Sequence, residues 1–185
     1  MTEKNNLQND PRFQNHESRP DLAGEYVLGD LMQLLAFLLF LGITILDYLF
    51  FNSHLTIRNA ISIWVRLPIS AGLFALAGYL SLYGIKIVFG EYREEPVMIT
   101  SGMFSFMRHP IYLGALLVYL AIFMLTTSLL SLLVWLGAIF LYNWLANDEE
   151  DRMLKIFGEK YQEYMNRVPK WIPRLQSFFP SKKAK

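Results

Sequence analysis

Long apolar stretches alternate with short polar segments along this chain, and their lengths predict helices that cross a membrane. A bilayer core of about 30 Å requires about 20 apolar helical residues. The stretch LMQLLAFLLFLGITILDYLFF, from Leu31 to Phe51, meets this requirement, and Asp30 is placed to cap its N-terminus. Asp47 lies near the far end of this stretch, where we expect water to be within reach.

A second apolar stretch predicts a second span. It starts around Pro68, a residue favoured in the first turn of a helix, and runs to Phe89. Ala71, Ala75 and Gly78 place small side chains on one side of this helix, which favours close packing against a neighbouring helix.

The third apolar region predicts a tight helical hairpin. Its arms run from Ile111 to Ser128 and from Leu129 to Ala146, and only the sequence TTS separates them. The first arm is short: Ile111 to Thr126 would be about 24 Å long at 1.5 Å per residue. We therefore expect its N-terminal end to lie slightly inside the membrane surface, within a protein pocket.

Polar sequence precedes and follows the hairpin. Gly90 to Phe104 reads as a loop outside the hydrocarbon. After Asn147 the chain becomes rich in charge, and Met153, Phe157, Tyr161 and Tyr164 recur among the charges near helical spacing. This pattern predicts an amphipathic helix at the interface or against the bundle, ended by Pro169 and Pro173.

The pattern as a whole predicts an all-α fold. We expect a polytopic membrane helix bundle of about four transmembrane helices, followed by a C-terminal amphipathic cytoplasmic helix. The predicted organisation is a flexible polar N-terminus at 1–28, the first two transmembrane helices at 29–89, and a core of loop, hairpin and tail at 90–185.

The distribution of basic residues predicts the orientation of the bundle. Four spans put both termini and the 90–104 loop on one side, and of the 17 Lys and Arg residues only Arg58 and Arg66 fall on the other. Because cytoplasmic segments carry the excess of positive charge, we expect the termini and the loop to be cytoplasmic.

Composition supports a membrane protein and disfavours several other classes. The chain is 54% hydrophobic, its mean hydropathy is +0.28, and its formal charge is +1. The basic residues form no stripe interleaved with aromatics, so no nucleic-acid partner is predicted. There is no cysteine, and His16, His54 and His109 lie far apart, so no metal site is predicted.

Candidate chemistry gathers at the start of the hairpin. A hairpin folded about Thr127 pairs position 109 with 145, so Glu149 and Glu150 would project about one turn beyond His109. The positive N-terminal end of the helix, together with Arg108, would attract an anion. The two carboxylates would accept hydrogen bonds from an ammonium group or from ribose hydroxyls, so a zwitterionic nucleoside would suit both.

Each of these features also has a structural explanation when it is taken alone. Arg108 and His109 are typical anchors of a span at the lipid headgroups. Glu149 and Glu150 are equally typical of a solvated first turn of the tail helix.

The order and spacing of the motifs carry more information. TSGMFSFMRHPIYLG followed by EEDRMLKIFGEKYQEYMNRVPKWIP resembles the isoprenylcysteine carboxyl methyltransferase and phospholipid N-methyltransferase superfamily. The resemblance covers about residues 90 to 174. It implies an integral membrane enzyme that binds S-adenosylmethionine at the cytoplasmic end of its helical core, and it marks 90–185 as a methyltransferase core.

The resemblance also implies which residues bind the cofactor, with no separate general base among them. These residues lie in the loop, at the start of the hairpin and after it: Val97, Met98, Ile99, Phe104, Arg108, His109, Pro110, Ile111, Tyr112, Glu149 and Glu150. Phe104 stands where a Tyr is common in the family.

The implied acceptor is an apolar or amphipathic molecule, lipid-like or isoprenylated, that reaches the site from the membrane lipids and is O- or N-methylated. In the carboxyl methyltransferase branch an arginine stands one turn before the first glutamate, and here that place is Leu145, so other acceptors stay open. Two alternatives remain: a membrane oxidoreductase that resembles the sterol reductases and uses NADPH, and a non-catalytic membrane scaffold.

Overall fold

The computed structural model describes residues 28–90 and 95–173, which form a helical bundle without strands. The all-α prediction is therefore confirmed, whereas the predicted flexible N-terminus lies, apart from Leu28, outside the described residues. The helices are α1 Gly29–Leu46, continued by a π-helical turn Asp47–Phe51, α2 Leu55–Ala60, α3 Ile63–Phe89, α4 Pro110–Thr126, α5 Leu129–Phe157 and α6 Glu159–Arg167.

Three helical segments are long and apolar enough to cross a membrane: Gly29–Phe51, Ile63–Phe89 and Leu129–Phe157. Their outward faces carry large apolar side chains, among them Leu82, which is 71% exposed, and Phe140, which is 77% exposed. Such faces suit lipid rather than water. With 17 residues, α4 is shorter than these three, so the structure supports an integral membrane bundle of three long helices and one short one.

The short helix α4 packs between its neighbours. It lies antiparallel against α3 on one side and against α5 on the other, and α5 in turn packs on α1. Helices α3 and α4 approach each other closely at Gly114, where an added Cβ would lie 3.0 Å from the carbonyl oxygen of Ala77 and against the hydroxyl of Ser81. Only glycine allows the two backbones to approach this closely.

An apolar core joins α1, α4 and α5. Its buried members are Phe40, Leu116, Tyr119, Ala138 and Tyr142, and the ring of Tyr119 meets that of Phe40 edge-on at 4.8 Å. This core fixes the relative placement of the two hairpin helices.

Side chains from other helices complete the C-terminal end of α4. Arg66 Nη1 donates to the carbonyl of Leu125 at 3.0 Å, and the hydroxyl of Tyr48 donates to the carbonyl of Thr126 at 2.7 Å. The next residue, Thr127, has φ +58° and ends the helix. The last carbonyls of α4, which no helix can satisfy by itself, are therefore bonded within the protein.

The second span begins earlier than predicted. Helix α3 starts at Ile63 rather than Pro68, because Ser62 acts as the N-cap and its Oγ accepts from the Trp64 amide at 3.4 Å. Pro68 lies inside the helix. The cap, not the proline, marks the start.

Two expectations for the first span are wrong. Asp30 lies within the first turn of α1, and Leu28 occupies the N-cap position without a side-chain bond. Asp47 is fully buried rather than near water, because Ser53 turns back onto it and donates from its amide at 2.9 Å and its hydroxyl at 2.7 Å. A buried carboxylate needs such donors.

The tail also differs from the prediction. Helix α5 does not end at Ala146 but continues to Phe157, since no glycine or proline lies between Ala146 and Gly158, where φ is +55°. Helix α6 then ends at Arg167, ahead of Pro169 as predicted. Of the two predicted placements, the structure shows the one against the bundle: Tyr161, Tyr164 and Val168 are buried beside Met98 and Met153.

We expect Gly114→Val to lower the free energy of unfolding by about 1–3 kcal/mol, because the new side chain would force α3 and α4 apart. Gly78→Val is the matched control, since a Cβ at Gly78 meets nothing within 4 Å. Denaturant titration of the purified protein in detergent measures both. Equal stability of the two variants would contradict the close approach.

Candidate active site

The residues after α6, from Val168 to Pro173 and called the tail below, hold the segment before α4 in place. The amide of Arg108 donates to the carbonyl of Pro169 at 3.0 Å, and the amide of His109 donates to the carbonyl of Lys170 at 3.2 Å. Pro110 then begins α4 and is fully buried. His109 itself is outside the helix, with φ −123° and ψ +61°. The direction of its side chain is therefore not set by the helical geometry of α4.

The ring of His109 lies between two carboxylates of α5. Its Nε2 is 2.8 Å from Glu150 Oε1, and its Nδ1 is 3.4 Å from Glu149 Oε2. A neutral imidazole has one N–H and can donate to only one of them, whereas an imidazolium can donate to both. The arrangement therefore favours the protonated ring.

The pKa of His109 reflects this arrangement. Burial of the ring opposes its charge, but the hydrogen bonds and charges of Glu149 and Glu150 outweigh burial and raise the pKa of His109 above its ordinary value of 6.5.

Glu150 is buried and its partners are all from the protein. Its Oε1 is 3.0 Å from Arg108 Nε and 2.8 Å from the His109 ring, and its Oε2 is 3.1 Å from Lys170 Nζ. Arg108 is anchored in turn, because its Nη1 donates to the carbonyl of Met165 at 2.9 Å. Oε1 of Glu150 thus meets the segment before α4, and Oε2 meets the tail.

Glu149 is more accessible than Glu150. Its side chain is 21% exposed, against 6% for Glu150. The hydroxyl of Tyr112 donates to Glu149, and the Tyr112 ring stacks on His109 with a centroid distance of 5.6 Å and an interplanar angle of 7°. The Glu149 side chain is therefore the more accessible of the two to a ligand.

The structure brings five of the candidate residues into direct contact: Arg108, His109, Tyr112, Glu149 and Glu150. They lie at the end of the bundle opposite Arg66 and Thr127, as expected for the two ends of an antiparallel hairpin. The register count had placed Glu149 and Glu150 one turn beyond His109. They meet His109 instead, because this residue precedes the helix and reaches toward them.

The other candidates lie around this group. Phe104 is tied to the tail, since the Tyr164 hydroxyl donates to its carbonyl at 2.7 Å, and Met98 packs against the same part of α6. Ile111 faces α3 and contacts Gly84. Val97 is exposed and Ile99 is half-buried, so neither is fixed against the carboxylates by a contact that the structure describes.

Sequence reasoning missed two residues of the tail. Lys170 binds Glu150 and also donates to the side chain of Asn147. Trp171 lies with its ring 5.9 Å from that of His109, and its Nε1 donates to Asn143 Oδ1 at 3.4 Å. The only signal was their position between Pro169 and Pro173, in a segment that had been interpreted as the end of a helix.

The profile of one protein family matches this chain. It describes phospholipid methyltransferases, and it covers residues 61–160, more than half of the chain. The matched region contains α3, the hairpin and the carboxylate pair. The chain belongs to the phospholipid methyltransferase family.

Two kinds of methyltransferase are among the proteins that are similar in sequence to this chain. The chain is 29% identical over 94 residues to a protein-S-isoprenylcysteine O-methyltransferase of Schizosaccharomyces pombe, a match that covers 48% of this chain and 38% of that protein. It is also 29% identical over 106 residues to methanethiol S-methyltransferase 1 of Bradyrhizobium diazoefficiens, covering 55% of this chain and 36% of that protein. The chain therefore spans less than half the length of these relatives.

A solved structure has a similar fold. The eukaryotic intramembrane Ras methyltransferase, an isoprenylcysteine carboxyl methyltransferase, matches with a TM-score of 0.59 at 20% identity, covering 77% of this chain and 52% of that one. At this identity the match concerns the fold. The arrangement of α1 to α6 is thus one that a membrane member of the methyltransferase superfamily also has.

The stability of this phospholipid methyltransferase family member should depend on pH through His109. Because the pKa of His109 is raised in the folded state, its contribution to stability is complete below about pH 6.5 and is lost as the pH rises through the raised value. We expect the thermal midpoint in detergent to fall between about pH 6 and pH 9, and to fall less in His109→Gln. The same pH dependence in both proteins would contradict this assignment.

Proposed function

We propose that this protein is an integral membrane methyltransferase that uses S-adenosylmethionine, and that the cofactor binds at the His109–Glu149 end of the bundle. One observation carries the proposal: two motifs separated by a whole helical hairpin meet in a single cluster of side chains. Membership of the phospholipid methyltransferase family supports it.

The chemistry of the groups present fits a zwitterionic nucleoside. Glu149, whose side chain is partly exposed, offers a carboxylate for ribose hydroxyls or an ammonium group. The N-terminal end of α4, which begins at Pro110, favours the negative charge of a carboxylate. The stacked rings of His109 and Tyr112 offer an aromatic surface beside these two groups.

When bound, S-adenosylmethionine supplies an activated methyl group on a sulfonium centre. The residues of this chain then have a modest task, which is to bind, to orient the acceptor and to exclude water. Tyr112 is suited to steady a cation through its ring, and it orients Glu149 through its hydroxyl. No residue is required as a covalent nucleophile.

We propose an apolar or amphipathic acceptor that enters from the bilayer. The exposed apolar faces of the long helices support this route, since membrane lipids would surround them. The sequence favoured O- or N-methylation and left S-methylation open, and one relative is named for methylation of a thiol, so thiols belong among the acceptors to be tested. Mass spectrometry of candidate thiols, prenylcysteines and phospholipids would detect the addition of one CH₂.

The site is proposed to face the cytoplasm, together with both termini. Arg108 and the basic residues of α5 and α6 lie at the site end, whereas the buried Arg66 lies at the other end, an asymmetry that supports this orientation.

We expect S-adenosylhomocysteine to raise the thermal midpoint of the purified protein in detergent, because a ligand that binds only the folded state stabilises it. At a concentration of 100 times Kd the gain would be about 2.7 kcal/mol. NADPH at the same concentration should have no effect. Stabilisation by NADPH alone would favour the reductase alternative, and stabilisation by neither would favour a non-catalytic scaffold.

We expect Glu149→Gln and His109→Ala each to weaken the binding of S-adenosylhomocysteine by about tenfold or more, since each removes a charged partner from the site. Glu163→Gln is the matched control, because Glu163 is exposed on α6 away from the cluster. Isothermal titration calorimetry measures all three. Unchanged binding in both site variants would locate the cofactor elsewhere.

A further inference from the structure

We propose that Lys170 is a positioning residue of this site: its ammonium group, brought in by the tail, holds Glu150 in place and so leaves Glu149 as the carboxylate that faces the ligand. The inference rests on the proposed function only in regarding the cluster as a ligand site. The contacts of Lys170 themselves are independent of that proposal.

The two carboxylates differ in their partners and in their exposure. Glu150 Oε1 lies 3.0 Å from Arg108 Nε and 2.8 Å from His109 Nε2. Its Oε2 lies 3.1 Å from Lys170 Nζ. Glu149 accepts a hydrogen bond from the Tyr112 hydroxyl, and its Oε2 lies 3.4 Å from His109 Nδ1. Its side chain is 21% exposed. Adjacent residues of one helix point in different directions, and Glu150 points to the side where Arg108 and the tail lie.

Loss of the Lys170 ammonium group would change the surroundings of Glu150 and of His109. Oε2 of Glu150 would lose its ion-pair partner in a buried environment, where an unpaired carboxylate oxygen is costly. The charge of Glu150 would then act more strongly on its remaining partners, Arg108 and His109. Removing a nearby positive charge also favours the protonated ring of His109. Lys170 therefore sets how firmly His109 holds its proton.

The tail can stay docked when the charge of Lys170 is removed. Docking also uses backbone groups, since the amides of Arg108 and His109 donate to the carbonyls of Pro169 and Lys170. Trp171 adds packing against the core and a bond to Asn143. These contacts do not involve the ammonium group, so a substitution of the Lys170 side chain can leave the tail docked.

Two further ionisable groups of this end of the bundle lie on α6. Burial raises the pKa of Tyr161 and of Tyr164 well above the ordinary tyrosine value, so both stay neutral in the working range. Within the described residues, the charged and titratable groups that face the cluster come from five parts of the chain: Arg108 ahead of α4, Tyr112 on α4, Glu149 and Glu150 on α5, Tyr161 and Tyr164 on α6, and Lys170 in the tail.

The test is an NMR titration of His109 in the full chain without ligand. Histidine-selective labelling gives signals for three histidines, and the His109→Gln spectrum identifies the one to follow. We expect Lys170→Met to raise the pKa of His109 by about one unit, and Lys170→Arg to leave it near the value of the unchanged protein. Lys160→Met, which removes an exposed lysine of α6, is the matched control and should have no effect.

Hydrogen exchange of the Arg108 and His109 amides is measured on the same variants. A raised pKa in Lys170→Met with unchanged amide protection, restored by Lys170→Arg, supports the proposal. An unchanged pKa in Lys170→Met overturns it. A raised pKa accompanied by loss of amide protection also overturns it, because Lys170 would then act by docking the tail.

This outcome is distinguishable from a failure of the proposed function. The titration is recorded without any ligand, so its result does not depend on whether S-adenosylhomocysteine binds. If that compound fails to stabilise the unchanged protein, the proposed function is contradicted and the role of Lys170 in the cluster is still decided by the titration. If it binds, Lys170→Met should also weaken its binding, whereas Lys170→Arg should not.

Discussion

Helix α4 is too short to cross a bilayer core by itself, and the contacts at both of its ends follow from this. At 17 residues it is about 26 Å long, less than the core of a bilayer, so its ends cannot rely on water for their unpaired backbone groups. Other parts of the protein bond them instead. Arg66 and Tyr48 serve the C-terminal end, and the tail binds the residues that lead into the N-terminal end.

This constraint explains why polar chemistry collects at the two ends of α4. One end is a closed network with a buried carboxylate, Asp47, whose partners include Ser53. The other end carries the cluster of His109, Glu149 and Glu150, and there one carboxylate stays partly exposed. A helix end that protein groups complete on most sides is suited to bind a polar ligand on the remaining side.

The cluster also ties together parts of the chain that are distant in sequence. Arg108 and Lys170 reach Glu150 from opposite directions, one from the loop and one from the tail. Leu145, one turn earlier on α5, is fully buried and contributes no charge.

The lengths of the apolar runs and the residues that break helices act locally, so the helical class, the first two spans and the hairpin could be predicted from the sequence. The hairpin also placed Arg108 and His109 near Glu149 and Glu150, since a short turn sets two helices side by side, and the family resemblance added Tyr112. Two helix ends were predicted wrongly. Helix α3 starts after Ser62 rather than at Pro68, and helix α5 ends before Gly158 rather than at Ala146.

How the two carboxylates differ, and which groups they meet, depends on contacts made after the chain has folded. Lys170 and Trp171 join the site because the tail folds back onto the segment before α4, and no periodicity in the chain specifies that return. Asp47 is buried for the same kind of reason, since Ser53 reaches it only after the chain turns. Burial and ion pairing depend on contacts between distant residues, and local pattern carries little information about them.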